Sequence, residues 1–136
     1  MSQLINQEHR QKMEDLERSM LASGATIELE CNHYFAHGTY TRELFIPKHT
    51  VLTGKIHLNS TINIISMGKI RAVSEEGEYD IEAPHVFVSG AMVKKAGFTL
   101  EDTIWINVFP WDGKQEDPEM VVDKLTVPTY DLLEST

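Results

Sequence analysis

The chain has 136 residues, 41% of them hydrophobic, which suits one domain with a real core and is too short for two domains of ordinary size. A formal net charge of -9 argues against nucleic acid or anionic membranes as partners, because both demand a basic footprint. The single cysteine, Cys31, excludes an internal disulfide, and no apolar run reaches the roughly 18 residues of a membrane span, so the expected setting is a reducing, cytoplasmic one.

Residues 2–22 contain strong helix formers and neither proline nor glycine. Ile5, Met13, Leu16 and Met20 recur near three- and four-residue steps, and Glu8 with Lys12 and Glu14 with Arg18 add i,i+4 pairs. The spacing predicts a helix in a segment 1–24, closed by Gly24, whose narrow apolar stripe either docks on a partner or covers an open end of its own domain.

A second region, 25–110, consists of short β-rich runs cut by Pro47, Gly54, Gly68, Gly77, Pro84, Gly90 and Gly97. The predicted strands are 26–30, 39–46, 51–57, 62–66, 69–73, 78–82, 86–89, 93–96 and 103–109. Such a series implies an all-β barrel or jelly roll, with the most apolar run, 103–109, at its centre and Trp105 in the core. In the third region, 111–136, Asp117 and Pro118 read as an N-cap and first helical residue of a short helix through Met120, Val121 and Leu125. An apolar cluster of Tyr130, Leu132 and Leu133 follows Pro128.

Several local patterns invite a chemical reading. His33 and His37 are four residues apart, but their segment reads as strand and turn, so the helical logic of metal ligation does not apply. Cys31 reads as a packed residue at a strand end. Arg42 and Glu43 are adjacent in a strand and must point to opposite faces. Lys94 and Lys95 read as a solvated turn, and Glu75 and Glu76 as an acidic hairpin tip.

One longer pattern is more specific. The stretch from Gly54 through His57 to Gly68 has the layout of a strand pair that resembles the first motif of the cupins. The run from His33 to Tyr40, Arg42-Glu43-Leu44, Ile46-Pro47, the run from Ala83 to Ser89, the run from Lys94 to Gly97 and the run from Leu100 to Trp105 follow in the same order. Together they resemble small single-domain cupin-like proteins of bacteriophages and bacteria.

That resemblance implies a cupin-type jelly roll with an N-terminal helix and a short C-terminal helical tail. It also implies a depleted metal site. Metal-binding relatives carry histidines at the positions of Asn59, Thr61 and Phe109, and near Ser89, which leaves His57 as a residual ligand and no cofactor as the expectation. The function this favours is a non-enzymatic structural protein of a bacteriophage virion, assembled in a host cytoplasm. In that reading the barrel is a homo-oligomer, and Ile5, Met13, Leu16 and Met20 dock it onto other phage structural proteins. One alternative is a metal-dependent cupin enzyme acting on a small molecule. The other is a small-ligand or sugar-binding module contacting its ligand through Arg42, Asn59 and Asn63.

Overall fold

Alternation of buried and exposed residues, the signature of a half-buried strand, governs most of the chain. The computed structural model describes residues 29–75 and 77–127, together with Glu8, Gln11, Lys12 and Asp15. The predicted N-terminal helix is otherwise outside the described residues, including Ile5, Met13, Leu16 and Met20. The predicted strand 26–30 falls largely outside them as well, as do Tyr130, Leu132 and Leu133.

In chain order the strands are β1 (Glu30–Ala36), β2 (Thr39–Ile46), β3 (Val51–Thr53), β4 (Ile56–His57), β5 (Thr61–Met67), β6 (Lys69–Ser74), β7 (Gly77–Glu82), β8 (His85–Ser89), β9 (Lys95–Thr99) and β10 (Thr103–Pro110). Helix α1 (Pro118–Leu125) and β11 (Thr126–Val127) complete the described fold. One antiparallel sheet has the order β1-β2-β10-β5-β8, a second runs β3-β9-β6-β7, and β11 pairs with β4 as a small third sheet. This is the double-sheet jelly roll expected from the spacing of the runs, with β10 central in the larger sheet.

Two of the predicted runs divide or shift. The run 51–57 breaks at Gly54 into β3 and β4, which belong to different sheets. Gly97 lies inside β9 and does not end it. A Cβ there would sit tightly, 3.0 Å from Ile70 Cδ1 of the neighbouring strand, so a larger residue would need Ile70 to shift. Gly68, by contrast, is a true turn residue at φ +93, where a Cβ would collide with the carbonyl of Asp102.

Between the sheets lies an apolar core of Ile46, Ile65, Ile70, Ala72, Ile81 and Trp105. A second cluster, Tyr40, Phe109, Val121 and Leu125, closes the other end of the barrel. Helix α1 supplies half of it, because Val121 and Leu125 fall on one helical face. As the sequence suggests, Asp117 caps this helix, its Oδ1 accepting from the backbone N–H of Glu119 at 3.1 Å, and Pro118 is its first residue.

Candidate functional site

The space between the two apolar clusters is polar, and strand register explains why. On the inner face of the larger sheet, His33, Arg42, Asn107, Asn63 and Phe87 occupy one cross-strand row. Arg42 points inward from β2 with Tyr40, Leu44 and Ile46, while Glu43 turns outward and accepts from Asn32 Nδ2 at 3.3 Å and Tyr34 Oη at 2.9 Å.

Asn63 organises one half of this row. Its Oδ1 accepts from Trp105 Nε1 at 3.0 Å and from Asn107 Nδ2 at 2.6 Å. Its Nδ2 donates to the carbonyl of Thr61 at 3.1 Å and to Ser89 Oγ at 3.0 Å. Both donors and both acceptor positions of the carboxamide are thereby occupied. Asn63 consequently positions its neighbours and offers nothing to a ligand, which corrects the expectation of a ligand contact there. Asn59 is also displaced from that role: it is exposed in the loop after β4 and does not line the chamber described next.

A chamber of about 70 Å³ opens beside Arg42, bounded by Lys55, His57, Lys95, Trp105, Asn107 and Thr126 with Leu44, Leu52, Ala96 and two glycines. Its wall carries three cationic side chains, Arg42, Lys55 and Lys95, and no carboxylate. Arg42, Leu44, Leu52, Gly54 and Lys55 also border a larger outer cleft of about 580 Å³ that reaches His33 and α1. Lys55 bridges to α1 through an ion pair with Asp123 at 3.5 Å. Arg42 thus stands between chamber and cleft. Its Nε is buried and is the one such side-chain nitrogen or oxygen without a hydrogen-bond partner among the described residues.

His57 is held from both sides. β11 pairs with β4 in the register Thr126 to His57, and the backbone N–H of Met92 donates to the His57 carbonyl at 2.8 Å. The Thr61 hydroxyl donates to the carbonyl of Asn59 at 3.2 Å, which assigns the proton of neutral His57 to Nδ1, donating to Thr61 Oγ1 at 3.0 Å. Nε2 is left as an acceptor. Burial, reinforced by the positive charges of Lys95 and Arg42, drives the His57 pKa down to about 3, so the ring is neutral at any ordinary pH.

The same logic extends along β1 and β2. Burial raises the Tyr40 pKa to about 12, so its hydroxyl stays protonated, and it shares a hydrogen bond of 2.7 Å with His33 Nδ1. Desolvation and the Arg42 charge lower the His33 pKa, favouring the neutral ring. His37 is in the turn after β1, away from His33, and Cys31 borders the outer cleft.

Divalent metal, the group most often implied by a cupin motif, requires several imidazole, thiolate or carboxylate ligands at one point. Among the described residues no three His, Cys, Asp or Glu side chains converge, and His57 shares its chamber with cations. The donor set does not fit the metal. Lys95 is the residue that sequence reasoning missed most clearly: it opens β9 and lines the chamber, while its neighbour Lys94 is 1% exposed, so the pair is not a solvated turn. Asn107 was signalled only by being a polar residue at an inward position of the most apolar strand.

No protein-family model matches the chain, and no curated protein matches it in sequence. Solved structures do share its fold. KdgF from Halomonas sp. superposes with a TM-score of 0.55 at 15% identity, covering 70% of this chain and 87% of that one. A cupin superfamily protein from Desulfitobacterium hafniense gives 0.54 at 9% identity over 62% and 79%. An RmlC-like cupin from Shewanella frigidimarina gives 0.52 at 16% identity over 64% and 86%. The chain is a small cupin-fold domain.

These likenesses correct the functional expectation drawn from the sequence. The structures that share the fold include KdgF and RmlC-like cupins, and nothing in them indicates a component of a virus particle. Within the barrel, the buried Nε of Arg42 has no hydrogen-bond partner and its side chain borders a cavity. Among the described residues no helix is long and apolar enough to cross a membrane.

Proposed function

We propose that this protein is a small-molecule-binding cupin domain whose ligand enters through the outer cleft and seats its polar head in the chamber beside Arg42. The observation that carries the reading is the buried, unpartnered Nε of Arg42 at the junction of cleft and chamber. Leaving a charged donor buried without a partner costs stability, and such a defect persists most readily where a ligand completes it. Pockets with an apolar wall and a few convergent polar groups are the usual form of small-ligand sites, and the fold shared with KdgF and RmlC-like proteins supports an interior site. Asn63, Trp105 and Thr61 hold the lining in place, Arg42 and Asn107 face the ligand, and Lys55 guards the rim through its link to Asp123.

Magnetic resonance of the full-length protein tests this directly. Titration with a panel of neutral sugars, carboxylates and inorganic phosphate should move the Trp105 indole and Asn107 side-chain signals saturably with at least one member. A panel that moves neither signal contradicts the reading.

A further inference from the structure

We infer that the ligand of this chamber is a small hydroxy acid, its carboxylate paired with Arg42 and a hydroxyl donating to Nε2 of His57. The inference rests on the small-ligand reading above and adds the chemical class.

Charge supplies the first half of the argument. The protein carries a net charge of -9, yet the chamber wall has Arg42, Lys55 and Lys95 and no acidic residue. Among the described residues no carboxylate pairs with Arg42, although acidic side chains are abundant elsewhere and Lys55 has found Asp123. A cationic pocket in an acidic protein selects an anion from solution and repels a metal cation. The planar fork of a guanidinium matches a carboxylate in shape, and bidentate pairing of this kind is among the stronger hydrogen-bonding arrangements available.

The second half comes from His57. Its Nδ1 is committed to Thr61, so its other ring nitrogen, Nε2, is an acceptor in a residue that lines the chamber. A simple carboxylate such as acetate satisfies Arg42 and offers Nε2 no donor. A neutral polyol does the reverse. A hydroxy acid answers both. The chamber volume of about 70 Å³ admits a headgroup of a few heavy atoms, and the outer cleft of about 580 Å³ accommodates the remainder of the molecule.

The experiment follows the Trp105 indole signal of the full-length protein while lactate, malate, gluconate, acetate, lactamide, xylitol and inorganic phosphate are titrated in turn; Trp111, which does not line the chamber, is the internal reference. At least one of the three hydroxy acids should bind about tenfold or more tightly than acetate, lactamide and xylitol, the factor expected for one charge-assisted contact. Arg42→Met should reduce that affinity by a similar factor, with Arg42→Lys intermediate, and His57→Phe should erase the preference for hydroxy acid over acetate. Arg42→Lys keeps a cation in place and so reports even where Arg42→Met perturbs the fold. Phosphate or xylitol binding as tightly as the best hydroxy acid, with the same dependence on residue 42, overturns the assigned class and leaves the small-ligand reading standing. Silence of Trp105 toward every probe removes both. Binding unchanged in both residue 42 variants overturns the inference by showing that Arg42 is not its anchor.

Discussion

Asn63 and Arg42 lie two strands apart on the same cross-strand row, separated only by Asn107, and they have opposite fates. Every hydrogen-bonding position of the Asn63 carboxamide is filled by protein, whereas the buried Nε of Arg42 has no protein partner at all. Both are polar groups inside a barrel, so polarity alone does not mark a site. What separates them is satisfaction: a closed network fixes the fold, and an open valence beside a cavity is available for binding.

The sharpest way to break this contrast is to open the closed network. Asn63→Ala strips partners from Trp105 Nε1 and Asn107 Nδ2, while Ser89 Oγ keeps the Thr61 carbonyl at 3.4 Å, and should destabilise the fold by about 3 kcal/mol in urea denaturation, since each orphaned buried donor costs about 1–3 kcal/mol. If the loss is under about 1 kcal/mol, the network is not the structural element described here.

Gly68→Ala comes next, at about 2 kcal/mol, because the position combines a left-handed backbone with contact against Asp102 and Thr103. This substitution lies away from the chamber, so ligand affinity in the folded variant should be unchanged.

His57 sharpens the comparison through pH. Its folded pKa, about 3, is below the ordinary 6.5, so the unfolded chain binds the extra proton between those values and folding stability falls as pH drops through that window. The slope reaches at most about 1.4 kcal/mol per pH unit. Equilibrium denaturation across this range should show it, and His57→Gln should flatten it. An unaltered slope in that variant would transfer the effect to other groups.

The smallest expected effect has the opposite sign. Arg42→Met removes a buried donor that has no protein partner and should stabilise the ligand-free protein by about 1 kcal/mol while weakening binding. Asn63 and Arg42 would then differ in the direction of their effect as well as its size.

The sheet framework was legible in the sequence because alternation and glycine or proline breaks are local signals. Runs such as 39–46 and 103–109 appear nearly unchanged as β2 and β10. That Arg42 and Glu43 face opposite ways followed from strand parity alone, while which of the two faces inward did not. What stayed hidden depends on pairing between distant strands. Gly97 reads as a break until Ile70 of β6 is packed against it, and Lys94 and Lys95 read as a solvated turn until the fold buries Lys94 and sets Lys95 at the start of β9 beside the chamber. The role of Asn63 was invisible for the same reason, because Trp105 and Ser89 reach it from strands far away in the chain. The resemblance to cupins predicted the barrel correctly, while the virion role, drawn from that resemblance, the missing histidines and the apolar stripe of Ile5, Met13, Leu16 and Met20, finds no support in the structures that share the fold.

The most direct test of the central claim is a crystal structure of the protein grown with the hydroxy acid that binds best. The account predicts density for its carboxylate within hydrogen-bond distance of Arg42 Nε, about 3 Å, and a hydroxyl at His57 Nε2. A chamber in which Arg42 folds onto a protein carboxylate, or in which a metal cation sits on His57, would contradict it.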